Sequence, residues 1–159
     1  LKATGILKGL CHGTRNGYEQ GYLTKNYERI EAIGTDISES ARDFPLSFVW
    51  DFHDHKDEWA HSFDFVYSNS LDQSWNPKKA LTSWLGQVYP KGGTVIIELT
   101  LNHGPEGASN MDPFGVRPQA FPYILSKWFG EQVKLSHSVE KKSNMELDAW
   151  LFFISNVRH

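Results

Sequence analysis

The sequence lacks several features that mark large classes of protein. It has one cysteine, Cys11, among 159 residues, so it cannot form an internal disulfide. It has no Asn-x-Ser/Thr glycosylation acceptor, no signal-peptide pattern at its start, and no apolar run near the roughly 20 residues of a membrane helix. We therefore expect a cytoplasmic protein that does not associate with membranes. The chain opens on Leu1 rather than methionine, and we expect that a short N-terminal piece is missing.

The charge balance excludes a further class. Lys and Arg number 16 against 19 Asp and Glu, and the net charge of -3 argues against binding to a nucleic-acid backbone. Hydrophobic residues make up 40% of the chain, which at this length suffices for one packed core. No repeat and no Pro/Gly/Ser-rich linker divides the sequence, so we predict a single domain over residues 1–159.

Runs with strand spacing and runs with helix spacing alternate along the chain. Asn76 and Pro77 predict the start of the clearest helix, because asparagine caps a first turn and proline is tolerated at the first helical position. Strands are predicted over 5–11, 30–37, 48–52, 63–68, 94–99, 133–135 and 149–157, and helices are predicted to include 18–23, 80–88 and 124–129.

This order of elements predicts an α/β fold, a Rossmann-like three-layer sandwich with a mostly parallel sheet. Only about ten residues separate the second and third strands, so the crossover helix there must be short or absent. The last two strands are joined by a short polar turn, which predicts an antiparallel hairpin. The hairpin should add one antiparallel strand to the sheet.

A glycine-bearing turn follows the first strand. Gly13 and Gly17 allow positive φ and a close approach of backbone N–H groups to a ligand. Asp36 ends the second strand, 19 residues beyond Gly17, where an acidic side chain would accept hydrogen bonds from a ribose diol. Together the turn and Asp36 predict adenosine binding at the carboxyl edge of the sheet.

With these features the sequence resembles the class I S-adenosylmethionine-dependent methyltransferases, particularly the small type 11-like group. The resemblance runs from Ile6 to Val157, and the order and spacing of its motifs are more specific than any one of them. The segments that carry it are 11–19 (CHGTRNGYE), 33–38 (IGTDIS), 49–52 (VWDF), 63–77 (FDFVYSNSLDQSWNP) and 89–93 (YPKGG).

The resemblance implies an enzyme that transfers the methyl group of S-adenosyl-L-methionine to a small polar acceptor and releases S-adenosyl-L-homocysteine. Trp50 and Trp75 are expected beside the cofactor because both fall at strand ends. The cofactor-binding residues implied in this way are Gly13, Thr14, Arg15, Asn16, Gly17, Glu19, Asp36, Ile37, Trp50, Asp51, Phe52, Ser68, Asn69, Ser70, Leu71 and Trp75.

The chain departs from the family pattern at three positions. Cys11 stands where relatives usually have an acidic residue, and Arg15 stands where they have glycine. Arg15 either pairs with the cofactor's carboxylate or faces solvent. Gln73 occupies the place of a histidine found in many relatives.

Catalysis needs a general base only if the acceptor must lose a proton. Asp72 and His103 are the candidates, and His103 lies in a polar loop over residues 102–118. That loop is too long for an ordinary connection, so we predict a lid on the substrate side.

Three other interpretations fit parts of the sequence. The altered glycine motif also suits a non-catalytic S-adenosylmethionine-binding regulatory module. An NAD-binding oxidoreductase domain should carry Gly-x-Gly-x-x-Gly, whereas the glycines at 13, 17 and 21 are four apart. Asp51, His53 and His55 alternate as metal ligands on an extended segment would, but their acidic neighbours indicate a solvated strand end, and no metal site is predicted.

Overall fold

The computed structural model describes residues 5–101, 104–111, 113–141 and 148–157. Within these ranges seven strands form one sheet in the order β3-β2-β1-β4-β5-β7-β6. The strands are β1 (Leu7–His12), β2 (Ile30–Asp36), β3 (Ser47–Val49), β4 (Phe65–Ser68), β5 (Thr94–Leu99), β6 (Val133–Lys141) and β7 (Asp148–Asn156), and the α-helices are α1 (Tyr18–Asn26), α2 (Pro77–Gln87) and α3 (Phe121–Phe129).

The pairing of the strands confirms the predicted fold class. Strands β1 to β5 run parallel, and β7 lies antiparallel between β5 and β6. Helix α1 leads from β1 to β2 in one direction along the sheet, and α2 leads from β4 to β5 in the other. Because such crossovers are right-handed, the two helices lie on opposite faces and make a three-layer sandwich.

Helix α2 begins as its sequence predicts. The Asn76 side chain accepts a hydrogen bond from the Lys79 backbone N–H at 3.0 Å, and Pro77 is the first helical residue. Its apolar stripe is fully buried in the core together with β4, β5, β7 and α3. None of the helices in the described ranges is long and apolar enough to cross a membrane.

Strand β3 is shorter than the sequence predicts, whereas the crossover before it is short, as expected. The crossover from β2 is a five-residue 3-10 helix, Glu39–Asp43, which confirms the expected curtailment. Strand β3 ends at Val49 rather than at residue 52, because the chain turns just beyond it. In that turn Asp51 accepts the Asp54 N–H with its carbonyl at 3.0 Å and the His53 N–H with its carboxylate at 2.9 Å.

Helix α1 packs on the sheet in an unusual way. Its buried residue is Gln20, while Tyr18 and Tyr22 are exposed and stack on each other. Gln20 lies over Gly34 of β2, where an added Cβ would be 2.4 Å from the glutamine Cδ. The amide Nε2 of Gln20 donates to the Ser47 hydroxyl at 2.8 Å. The bare glycine surface therefore admits a polar side chain where an apolar stripe would be expected.

The buried His12 links three elements at the carboxyl end of β1. Its ring stacks on Trp84 of α2 at 5.1 Å between centroids. Nε2 donates to the Gln87 amide oxygen at 2.8 Å, and Nδ1 accepts from the Thr35 hydroxyl of β2 at 2.7 Å. Burial lowers the pKa of His12 from 6.5 to about 4, although the Gln87 bond opposes the shift. The ring is therefore neutral at physiological pH.

Acid should weaken the fold through His12. The unfolded chain binds a proton on this ring near its ordinary pKa of 6.5, and the folded chain does so only near 4. Stability is therefore complete above pH 6.5 and falls as the pH drops from 6.5 towards 4, by roughly 3 kcal/mol in all. Denaturant unfolding across this range measures the loss.

The variant His12→Gln is the control for this effect, since it should lose the His12 component of the pH slope. An NMR titration of the folded protein isolates the ring itself. Protonation of His12 near its ordinary pKa in the folded state would contradict the account.

Candidate functional site

The carboxyl ends of the central strands enclose a cavity of about 140 Å³, here called the edge cavity. Seven of its nine lining residues are among those predicted to bind the cofactor. His53 and Gln73 are the two that were not. The lining residues are Gly13, Asp36, Ile37, Trp50, Asp51, Phe52, His53, Gln73 and Trp75.

The carboxylate of Asp36 joins the glycine turn to the end of β2. Oδ2 accepts the Arg15 backbone N–H and Oδ1 accepts the Ser38 backbone N–H, each at 2.9 Å. Each carboxylate oxygen has a second acceptor site. Asp36 therefore still presents two adjacent oxygens to a ligand, which suits a pair of neighbouring hydroxyl groups.

The turn itself requires residues with positive φ. Gly13 has φ of 72°, and a Cβ there would lie 2.6 Å from the Ser70 Cβ. Gly17 has φ of 75° and precedes α1. Arg15 has φ of 50°, so it adopts the left-handed conformation that a glycine would hold without strain. The backbone thus explains why the family pattern has a glycine where this chain has arginine.

Several predicted site residues support the turn instead of lining the cavity. Ser68 donates its hydroxyl to the His12 carbonyl at 3.0 Å, and Ser70 donates to the Gly13 carbonyl at 3.1 Å. Both serines are buried, as are Thr14 and Leu71. Their direct contact with a cofactor stays a prediction, as it does for the solvent-exposed Arg15 and Asn16, and for Gly17 and Asn69, which also do not line the cavity.

Apolar side chains, two of them tryptophans, line the edge cavity. Trp75 is 64% exposed, and its ring lies 4.6 Å from that of His53. Ile37 is 72% exposed. Trp50 packs edge-on against Trp59 and donates its indole N–H to the Asp54 carbonyl at 3.2 Å. Exposed apolar side chains beside a cavity are suited to cover a planar heteroaromatic ring.

A cluster of acidic and hydroxyl groups lies on the α1 side of the same sheet edge. Tyr67 donates its hydroxyl to Glu98 at 2.9 Å, and Asn69 donates its amide to Glu19 at 3.4 Å. Burial raises the pKa of Glu19, and the nearby Glu98 and Asp36 charges add to the effect. Burial also raises the pKa of the Cys11 thiol to about 12, so Cys11 is not a thiolate nucleophile at neutral pH.

Asp51, His53 and His55 do not converge as metal ligands. Asp51 Oδ1 lies 2.6 Å from His53 Nδ1, whereas His55 is exposed and pairs with Asp57 at 3.0 Å. No group of three His, Cys, Asp or Glu side chains within the described ranges could hold a metal ion. His53 is only 4% exposed, so the expectation of a solvated strand end is wrong for this residue. The turn at 51–54 directs it inward.

The structure describes one of the two candidate bases, Asp72. Asp72 lies in a 3-10 turn, Leu71–Gln73, and its carbonyl accepts the Phe114 N–H at 2.9 Å. His103 lies outside the described residues, as do Asn102 and Asp112 of the predicted lid. The end of the predicted lid segment is packed onto the fold, because Val116 and Pro118 are buried and Phe114 contacts the Trp128 ring.

Neither a protein-family model nor a curated protein matches the chain in sequence. Solved structures do resemble it. The CurJ carbon methyltransferase has a TM-score of 0.70 at 14% identity over 99% of this chain and 50% of its own. The protein in complex with the Haloferax volcanii Trm112 methyltransferase activator gives 0.75 at 15% identity, over 100% and 86%. The plantazolicin methyltransferase BpumL, solved with S-adenosylhomocysteine (SAH), gives 0.70 at 13% identity, over 95% and 77%.

The chain spans about half the length of the CurJ methyltransferase and of the citrinin polyketide synthase CMeT domain. At such low identity these likenesses concern the fold. At that level the resemblance predicted from the sequence is confirmed: the chain has the class I S-adenosylmethionine-dependent methyltransferase fold.

Proposed function

We propose that this chain binds S-adenosyl-L-methionine in the edge cavity and transfers its methyl group to a small polar acceptor. The observation that carries the proposal is the meeting of three features at one sheet edge. They are the glycine turn at Gly13, the Asp36 carboxylate and the exposed aromatic wall at Trp75. Several proteins of similar fold are solved with S-adenosylmethionine or its product.

Each part of the cofactor has a matching group on the chain. Asp36 would accept hydrogen bonds from the ribose diol, and Asp51 would accept one from the exocyclic amino group of adenine. The turn at Gly13, which a Cβ would fill, lets the backbone approach the methionine portion. Arg15 is exposed and would pair with the cofactor's carboxylate.

The chemistry of transfer comes from the cofactor. Bound S-adenosylmethionine would supply a methyl group on a positively charged sulfur, which is a good leaving group. The chain's share is to align the acceptor and exclude water. Asp72 and His103 stay the candidates to take a proton from the acceptor, and closure of residues 102–118 is the expected means of enclosing it.

A second candidate function is cofactor binding without catalysis, as in a regulatory module. The arginine at the left-handed position of the turn favours it, because Arg15 replaces the glycine of the family pattern. The two functions predict the same ligand and differ in turnover. A library of small polar acceptors separates them, because only the enzyme produces S-adenosylhomocysteine.

Adenosyl ligands should raise the melting temperature of the protein. A ligand at one hundred times its Kd stabilises the folded state by about 2.7 kcal/mol. We expect S-adenosylmethionine and SAH to produce such a shift in thermal unfolding and NAD to produce none. Stabilisation by NAD alone would overturn the methyltransferase proposal in favour of a dinucleotide-binding domain.

The Asp36→Ala variant should lose most of its affinity for SAH. Each charged hydrogen bond to a ribose hydroxyl contributes about 1.5 to 3 kcal/mol, so we expect calorimetry to record a weakening of at least about tenfold. Glu31→Ala, an exposed acidic position on the same strand, is the matched control. An unchanged affinity in Asp36→Ala would place the ribose elsewhere.

Replacing Arg15 with glycine distinguishes the effect of its backbone conformation on stability from the effect of its side chain on binding. The change relieves a left-handed conformation, and we expect the free energy of unfolding to rise by roughly 0.5 to 1 kcal/mol. It also removes the guanidinium, so the affinity for SAH should fall about tenfold. An unchanged affinity would show that Arg15 faces solvent in the complex.

A further inference from the structure

A chain of three buried or half-buried side chains lies behind one wall of the edge cavity. Asp51 Oδ1 lies 2.6 Å from His53 Nδ1, and His53 Nε2 lies 2.6 Å from the Ser74 hydroxyl. His53 and Ser74 are 4% and 1% exposed. Asp51 follows β3 and Ser74 follows β4, so the chain joins two loops that border the same cavity.

The hydrogen-bond donors and acceptors of these three side chains fit one arrangement. The carboxylate of Asp51 only accepts, so His53 Nδ1 carries the hydrogen. Nε2 then accepts the Ser74 hydroxyl, and the Ser74 oxygen in turn accepts the Asn76 N–H at 3.2 Å. With this arrangement both ring nitrogens of His53, the Ser74 hydroxyl and Asp51 Oδ1 have hydrogen-bond partners.

In this arrangement the two carboxylate oxygens of Asp51 have different roles. Oδ1 accepts both the His53 backbone N–H at 2.9 Å and the ring Nδ1–H at 2.6 Å. Oδ2 is then the oxygen left for a ligand in the cavity, which Asp51 helps to line with its side chain about one-third exposed. Two donors from one residue hold the carboxylate more firmly than a single flexible contact would.

Ser74, at the other end of these three linked side chains, is next to a further residue that lines the edge cavity. Ser74 directly precedes Trp75, and the Trp75 ring packs on the His53 ring at 4.6 Å. The Phe52 ring also contacts the His53 ring, at 4.7 Å between centroids. The His53 ring therefore contacts both Asp51, which bears the acceptor oxygen, and Trp75, and both of these residues line the edge cavity.

We propose that His53 is a positioning residue that sets the base specificity of the edge cavity by fixing the Asp51 carboxylate, and that Ser74 fixes His53. A base with an exocyclic amino group donates to Oδ2, whereas a base with a carbonyl there directs its lone pairs at the carboxylate and is rejected. The inference rests on the proposed binding of an adenosyl cofactor. It deepens that function by naming what sets its selectivity.

Two isosteric variants test which ring nitrogen matters. His53→Asn keeps an amide donor near the place of Nδ1, so it retains the Asp51 bond and loses the Ser74 bond. His53→Gln places its amide near Nε2, so it does the reverse. Calorimetry on each compares SAH with S-inosyl-homocysteine, in which oxygen replaces the 6-amino group.

We expect the wild type to prefer the adenosyl ligand by at least about tenfold, the value of one charged hydrogen bond. His53→Asn, which loses only the Ser74 bond, should lower that ratio about threefold, and His53→Gln should lose most of it. A histidine that only packs against Phe52 and Trp75 predicts equal ratios in the two variants. Equal ratios would overturn the proposal.

Ser74→Ala carries the test if His53→Gln does not fold, which its thermal unfolding without ligand reveals. It removes the hydroxyl that fixes Nε2, and the adenosyl preference should fall by about threefold or more. An unchanged ratio in Ser74→Ala would contradict the role given to Ser74 and His53. If the wild type binds neither ligand, the proposed function fails instead, so the two failures are distinguishable.

Discussion

The carboxyl end of β1 is the point around which the rest of the molecule is arranged. From β1 the chain moves outward to β2 and β3, then returns to β4 on the other side of β1. The connections on the two sides leave this edge in opposite directions, and a crevice opens between them. His12 holds the strand end there through Thr35 on one side and Gln87 on the other. The glycine turn therefore begins from a fixed place.

The Asp36 carboxylate links the stability of the glycine turn to the proposed binding of a ligand. Asp36 accepts two backbone N–H groups that hold the turn and the start of the next loop, and the same carboxylate lines the edge cavity. A ligand hydroxyl that bonds to Asp36 adds to a network that already exists in the free protein. Such preorganisation lowers the entropic cost of binding. The buried link from Asp51 through His53 to Ser74 extends this rigidity to the side of the edge cavity where we propose that the base binds.

Much of the fold follows from local sequence patterns. The cap at Asn76 and the β-branched run of β5 each encode their element within a few residues, and the structure confirms both. It also confirms the antiparallel pairing of β6 with β7, whereas the predicted turn at 142–144 lies outside the described residues. The motif order likewise brings Gly13, Asp36 and the segment after β3 to one edge. These predictions succeed because parallel strands place their carboxyl ends together.

Other features depend on contacts between distant parts of the chain. Gln20 is buried on α1 because Gly34 of β2 leaves room for it, which no helical pattern records. His53 is buried because Asp51 closes a turn and Ser74 arrives from a loop twenty-one residues further on. A residue whose polar atoms are satisfied by another loop looks solvated in the sequence alone. For the position of His53, the Asp-x-His spacing that closes the turn was a better guide than the alternation of side chains along 51–55.

The central claim is that an adenosyl cofactor binds at the carboxyl edge of the sheet. Amide chemical-shift mapping by NMR during a titration with S-adenosylhomocysteine tests it most directly. The account predicts that the largest shifts fall on Gly13, Asp36, Asp51 and Trp75, while the groove around His61 at the other end of the sheet stays unchanged. Shifts confined to that groove, or spread evenly over the chain, would contradict it.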